Sequence, residues 1–139
     1  MCIRDRAGKT LVDVSNELEP VEGGFPKPVV VADASLAQRI QDAFPETYVV
    51  KSLNTMGCHV MVNPTVLVGD HTVFLSGDDA GAKQRVQELL TSFGWRPEQM
   101  MDLGGIETAA GPELMMTAWL RVMIARGFDG TFNWAVNSA

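Results

Sequence analysis

Residues 48–57 read Tyr-Val-Val-Lys-Ser-Leu-Asn-Thr-Met-Gly. A β-branched, aromatic-led run to Leu53 gives way at once to the polar turn Asn54-Thr55-Met56-Gly57, the pattern of a strand handing over to a loop. Upstream, Ser35 to Phe44 reads as an amphipathic helix. Leu36, Ala37, Ile40 and Phe44 share a face, Ser35 and Gln38 fit a capping box, and Pro45 stops it. Before that helix, residues 9–16 form another β-branched run ending in Asp/Ser/Asn. Strand, helix, strand is the unit from which α/β folds are built.

Downstream, 72–76 is a third strand. Gly77-Asp78-Asp79 opens a helix to about Phe93 whose buried face is Ala82, Val86, Leu89, Leu90 and Phe93, with Gly94 as its stop. Residues 100–103 are a short fourth strand ending at Gly104-Gly105. Pro112 to Arg126 is a helix with a broad stripe of Leu114, Met115, Ala118, Trp119, Val122 and Met123. Residues 130–136 are extended. Residues 17–34 carry Pro20, Gly23, Gly24, Pro26 and Pro28 and read as a loop over a site, with Val29-Val30-Val31 as a short edge strand inside it. In 58–70, His59–Val62 is open to a helical reading, and Asn63-Pro64 breaks any element. The expectation is α/β: a mostly parallel sheet of about four strands (10–14, 48–52, 73–76, 100–103) with flanking helices.

At 139 residues there is room for one domain. A hydrophobic fraction of 46% against 20% charged excludes a disordered chain. The net charge of −6 and the lack of a basic patch argue against nucleic acid and anionic membranes as partners. No apolar run approaches the roughly 18 residues of a membrane span, and Met1–Arg6 lacks the apolar stretch of a secretion signal. Cys2 and Cys58 make neither a disulfide framework nor a metal quartet, so a cytoplasmic location is expected. Eight Met against a single Tyr suits a Met-rich core or an adaptable surface.

In open α/β sheets, ligands lie outside the C-terminal ends of strands. Asn16, Lys51, Asn54 and Thr55 are therefore candidate convergent groups on one rim; the competing reading is that the two asparagines satisfy turn backbone. Lys51 is the neighbour whose side chain is free to point to solvent. Asp78 and Asp79 read as helix caps rather than an acid/base dyad. Gly104-Gly105 is a weak candidate for an anion-binding turn and a better one for a chain reversal. Cys58 and His59 are adjacent and so diverge, and His71 does not complete a metal site. Trp95, Trp119 and Trp134 read as core or interface. No catalytic residue and no metal ligand is named.

The run from Val49 to Met56, Val60-Met61-Val62-Asn63-Pro64 and Phe74-Leu75-Ser76-Gly77-Asp78-Asp79 together resemble the NADP oxidoreductases that depend on the deazaflavin coenzyme F420. So do Ala82-Lys83, Gly94-Trp95, Asp102-Leu103-Gly104, Glu113, Phe132-Asn133 and the upstream Leu11–Asn16. The resemblance covers about residues 8–137. It implies a Rossmann-type domain holding NADP(H), with a hydride passing directly between nicotinamide and deazaflavin. The protein's task is then to orient two rings. It implies cofactor contacts from Asn16, Asn54 and Thr55, with Met56 and Gly57 against the ring, and a homodimer through the C-terminal helices.

The family's opening strand, G-x-G-x-x-G turn and 2′-phosphate element are not in this chain, and where the family carries Arg three residues before Glu113 this chain has Ala110. Residues 1–7 are expected to be a non-native or unstructured extension, and residues 8–139 the C-terminal part of a longer NAD(P)-binding domain, weak or inactive in NADP(H) binding alone. Two alternatives stand beside this reading: an NADP-dependent reductase of an imine or carbonyl, and an inactive half-domain serving as an interaction module.

Overall fold

The computed structural model describes residues 6–29 and 34–138. Cys2 and the Val30-Val31 part of the expected edge strand lie outside them. The elements in order are β1 (Thr10–Asp13), β2 (Leu18–Glu19), β3 (Lys27–Pro28), α1 (Leu36–Ala43), β4 (Tyr48–Ser52), α2 (Cys58–Val62), β5 (Val73–Ser76), α3 (Ala80–Ser92), β6 (Met100–Gly104) and α4 (Ala110–Ala125). Short 3₁₀ turns at Pro64–Val66, Pro97–Gln99 and Ile106–Ala109 link them.

The main sheet runs β1-β4-β5-β6. β1 lies parallel to β4, Leu11 opposite Val49 and Asp13 opposite Lys51. β5 lies parallel to β6. The middle pairing, β4 with β5, is antiparallel, with Lys51 opposite Ser76 and Ser52 opposite Leu75. The sheet is thus mostly parallel, and the reversal has a local cause. A parallel return needs a crossover of a dozen or more residues, usually a helix. Asn63-Pro64 cuts α2 to five residues, too short to carry the chain back along the sheet. β5 therefore starts where β4 ends.

The loop expected over 17–29 holds a small antiparallel pair instead: Leu18 opposite Pro28 and Glu19 opposite Lys27. Pro28 is tolerated because the pair is all edge.

Side chains alternate across the sheet. Val50, Val73 and Leu75 pack with Val60, Ala82, Val86, Leu90 and Trp95 on one face. Val49 packs with Ala37, Ile106 and Ala109 on the other. Trp95 is fully buried and donates its indole N–H to the Met61 carbonyl at 2.9 Å, holding α2 to that core. The α3 stripe is narrower than expected, since Leu89 is exposed. The last segment, expected to be extended, forms no regular strand and turns at Gly130, whose carbonyl accepts the Phe132 N–H at 3.0 Å. The Thr72 N–H donates to Trp134 O at 2.8 Å, and the Asn133 amide donates to Thr72 O at 3.0 Å.

Candidate functional site

Because β1 and β4 are parallel, Asp13–Asn16 and Lys51–Thr55 emerge at one end of the sheet, where α1 also begins. Lys51 shares its face with Val49, so its side chain enters the α1/α4 layer. It does not reach solvent. The side chain is 1% exposed, and its ammonium meets Asp13 Oδ2 at 2.9 Å and Glu113 Oε1 at 2.8 Å. Its third bond goes to Ser15 O at 2.5 Å. A buried ammonium is tolerated only when its hydrogen bonds are replaced and its charge is paired. Three acceptors from two parts of the chain, the end of β1 and the start of α4, do both here.

Glu113 does a second job. Its carboxylate accepts the N–H groups of Leu36 at 2.8 Å and Ala37 at 3.1 Å, the opening donors of α1. The capping box expected there is only half formed. Ser35 Oγ accepts from Gln38 N at 3.0 Å, but the Gln38 amide turns away to Asp42. An anion at a helix N-terminus is favoured by the unpaired N–H groups and the helix dipole, and the chain supplies its own.

Asn16 and Asn54 come together at this end of the sheet, and one of their bonds satisfies turn backbone. The Asn16 amide donates to Asn54 O at 2.8 Å, and the Asn54 amide donates back to Asn16 Oδ1 at 2.9 Å. Asn54 is 3% exposed and Asn16 half-buried. Asn54 is aimed by its predecessor: Leu53 holds φ at +66° while its side chain stays in the core. A left-handed conformation costs a non-glycine residue about 1–2 kcal/mol, and here core burial fixes it.

Thr55 is buried beside Asn54. Met56 packs in the core cluster with Val60 and Trp95. The close approach at Gly57 is made by the chain itself, since a Cβ there would lie 2.8 Å from Gly130 O and 2.9 Å from His59 Cε1.

The remaining candidates settle as structure. Asp79 caps α3, accepting from Ala82 N at 2.6 Å, while Asp78 accepts the Ile106 N–H at 2.9 Å. Gly104, with φ +114°, and Gly105 make a chain reversal, and Glu107 folds its carboxylate over Gly105. That is a poor setting for an anion, and the strand register places Gly104 beside Ser76, which lies opposite Lys51. Cys58 is exposed and His59 turns to Thr131 Oγ1 at 3.0 Å. His71 is held between Pro64 O and the Asn133 amide. Trp119 stacks on Phe132, their centroids 5.4 Å apart. Among the described residues, no helix is long and apolar enough to cross a membrane.

No model of a known protein family matches the chain. Solved structures do. A protein from Arthrobacter sp. FB24, bearing the provisional name F420-dependent NADP reductase, superposes with a TM-score of 0.89 at 43% identity, covering 97% of this chain and 60% of that one. Over nearly its whole length the chain is similar to that reductase. A hypothetical protein of Sinorhizobium meliloti, SMa0349, follows with a TM-score of 0.57 at 26% identity, covering 74% of this chain and 48% of that one. Among curated proteins, the rat (Rattus norvegicus) metalloreductase STEAP3 is 31% identical over 115 residues, which is 81% of this chain and 22% of that protein. The chain thus spans less than two thirds of each of these relatives. The Rossmann-type α/β reading stands, with one antiparallel junction added.

Proposed function

We propose that residues 8–139 form the nicotinamide-side, C-terminal part of an NADP(H)-binding domain in a cytoplasmic reductase that passes a hydride between NADP(H) and a deazaflavin coenzyme of the F420 type. The observation that carries this is the reciprocal Asn16–Asn54 pair at the ends of two adjacent parallel strands. Carboxamides on a strand-end rim suit a nicotinamide ring, which carries its own amide. The same rim suits phosphate poorly. Its ammonium is already paired with two carboxylates, and the first N–H groups of α1 are taken by Glu113. The chain has no G-x-G-x-x-G turn, so the pyrophosphate is held by residues outside it, and this chain alone binds NADP(H) weakly if at all.

On this reading Asn16 and Asn54 orient the nicotinamide and its ribose. Thr55, Met56 and Gly57 hold the turn that carries Asn54 close to the ring. The bound cofactors supply the hydride donor and acceptor; the protein fixes their distance and angle and needs no acid or base.

The protein acts as a homodimer through α4. Outside a polar line of Glu113, Thr117 and Arg121 that helix is apolar, yet only Pro112 and Leu120 are buried, and Leu114 and Ile124 stand exposed.

The test is single-turnover hydride transfer in the full-length protein, with NADPH dissociation constants measured alongside. Asn16→Ala and Asn54→Ala are expected to slow transfer by up to about 100-fold, the effect of a ring displaced by about 1 Å. Affinity should change by about 1 kcal/mol, one hydrogen bond's worth. Lost affinity with an unchanged saturated rate would make the pair a phosphate or ribose anchor and overturn the placement of the ring. A screen of deazaflavin, imine and carbonyl acceptors identifies the hydride acceptor.

A further inference from the structure

Lys51 commits its ammonium to Asp13, Glu113 and Ser15 O, yet it sits one step from the two residues assigned to the ring. Its ammonium donates to Ser15 O, and Asn16 follows directly. Ser15 is itself fastened to Asp13, whose Oδ1 accepts the Ser15 N–H at 3.0 Å and its hydroxyl at 2.5 Å. The other oxygen of Asp13 meets Lys51. Residues 13–15 are thus cross-linked, and the link runs to β4 three residues before Asn54. Glu113 anchors the same ammonium to α4 and the start of α1. An ammonium has three donors and no acceptor; Asp13 and Ser15 O take hydrogen bonds from it, and Glu113 completes its surroundings as an ion pair.

We propose that Lys51 is a positioning residue for hydride transfer. By tying the β1 loop to β4 it sets the spacing and angle of the Asn16–Asn54 pair, and Ser15 is the link through which it acts. This rests on the reading of that pair as orienting the nicotinamide. A lysine serving only stability would leave the pair's geometry, and so the rate, unchanged once the protein is folded.

The experiment compares Lys51→Met, Lys51→Arg and Ser15→Ala with Asp79→Ala in the full-length protein. Asp79 caps α3 and its side-chain contacts are with Ala82 and Arg85, so its truncation weakens the fold by the loss of one helix cap without touching the segments that hold the asparagine pair. All variants are measured at a temperature where circular dichroism shows them folded. Two readouts are taken: exchange protection of the Asn16 and Asn54 side-chain amides by NMR without cofactor, and single-turnover hydride transfer with NADPH affinity.

Lys51→Met is expected to abolish amide protection and slow transfer 10- to 100-fold, with NADPH affinity within threefold. Lys51→Arg does not rescue, because a planar fork cannot meet three acceptors spread about one point. Ser15→Ala, at an exposed residue, removes the hydroxyl link to Asp13 and slows transfer three- to tenfold; it leaves the carbonyl that meets Lys51 in place, so Lys51→Arg decides if Lys51→Met does not fold. Asp79→Ala keeps both rate and protection. If Lys51→Met and Ser15→Ala keep the parental rate while Asn16→Ala and Asn54→Ala lose it, the assignment to Lys51 is wrong and the functional reading survives. If the asparagine variants are also unimpaired, the functional reading fails and takes this assignment with it.

Discussion

Truncating Glu113 should be costlier than its partly exposed position on α4 suggests. The side chain is 16% exposed and makes three contacts: the Lys51 ammonium and the N–H groups of Leu36 and Ala37. Glu113→Ala breaks a buried ion pair, a loss of about 3–5 kcal/mol when one partner is removed. Asp13 still faces Lys51 at 2.9 Å, which keeps the cost near the lower end. Uncapping α1 adds about 1 kcal/mol. The sum is about 3–4 kcal/mol, or a fall in Tm of about 12–16 °C for a domain of this size. Glu113→Gln keeps an acceptor for α1 but turns an amide N–H toward an ammonium or a backbone donor, so about 2 kcal/mol is expected. Ser35→Ala, removing only the hydroxyl cap, should lose about 1 kcal/mol. Calorimetry and denaturant unfolding of the full-length protein give the magnitudes. Amide exchange gives the mechanism: Leu36 and Ala37 should lose protection in Glu113→Ala before the rest of α1 does. A Glu113→Ala protein within about 1 kcal/mol of the parent, with those two amides still protected, would refute the argument that Glu113 joins the ammonium to the helix.

Three further outcomes are expected. At Gly57, φ is −69°, so a side chain there meets steric obstruction only; Gly57→Ala should displace the segment around Gly130, lose about 1–3 kcal/mol and speed proteolysis after Gly127. The Asp129 carboxyl is held down to about 2 from 3.8 by the Thr131 hydroxyl and N–H and by Arg126. Because its folded value is lowered, this support for the 129–131 turn is complete above about pH 4 and lost as pH falls through 2; an NMR titration with a midpoint near 3.8 would contradict it. On α4, Leu114→Glu should convert a dimer to monomer in sedimentation without loss of folded structure, and a monomeric parent protein would end the dimer proposal.

Much of the fold was legible because its signals are local. Apolar runs bounded by turn residues mark β1, β4, β5 and β6, and Asp79 and Gly94 bracket α3 by cap chemistry alone. What local signals do not carry is strand direction. Asn63-Pro64 was visible as a break, but its consequence is non-local: it removes the crossover helix, so β5 returns antiparallel. The β2–β3 pair was hidden for a related reason. Two-residue strands have no periodicity to detect, and Pro28 argues against a strand wherever the edge position is unknown.

The site divides along the same line. Asn16 and Asn54 could be found because each ends a recognisable strand, and strand ends in α/β sheets gather on a rim. Lys51 was visible but misread, since a lysine at a strand end ordinarily reaches water. The alternation of β4 held the contrary signal. Val49 and Lys51 share a face, and a face that buries a valine two residues earlier offers solvent only to a side chain that can leave it. Whether it leaves depends on what waits inside, and the decisive partner is Glu113, 62 residues on. Nothing near Glu113 announces that role, because an acidic residue in a first helical turn is explained by its own helix dipole. Here the carboxylate serves another helix's N-terminus. The half-formed capping box at Ser35 was the place to ask: a helix whose Gln38 does not turn back leaves opening donors unclaimed, and buried donors are seldom left so. The completing acceptor had to come from elsewhere in the chain. Once it is a carboxylate, the lysine beside it has a reason to be buried.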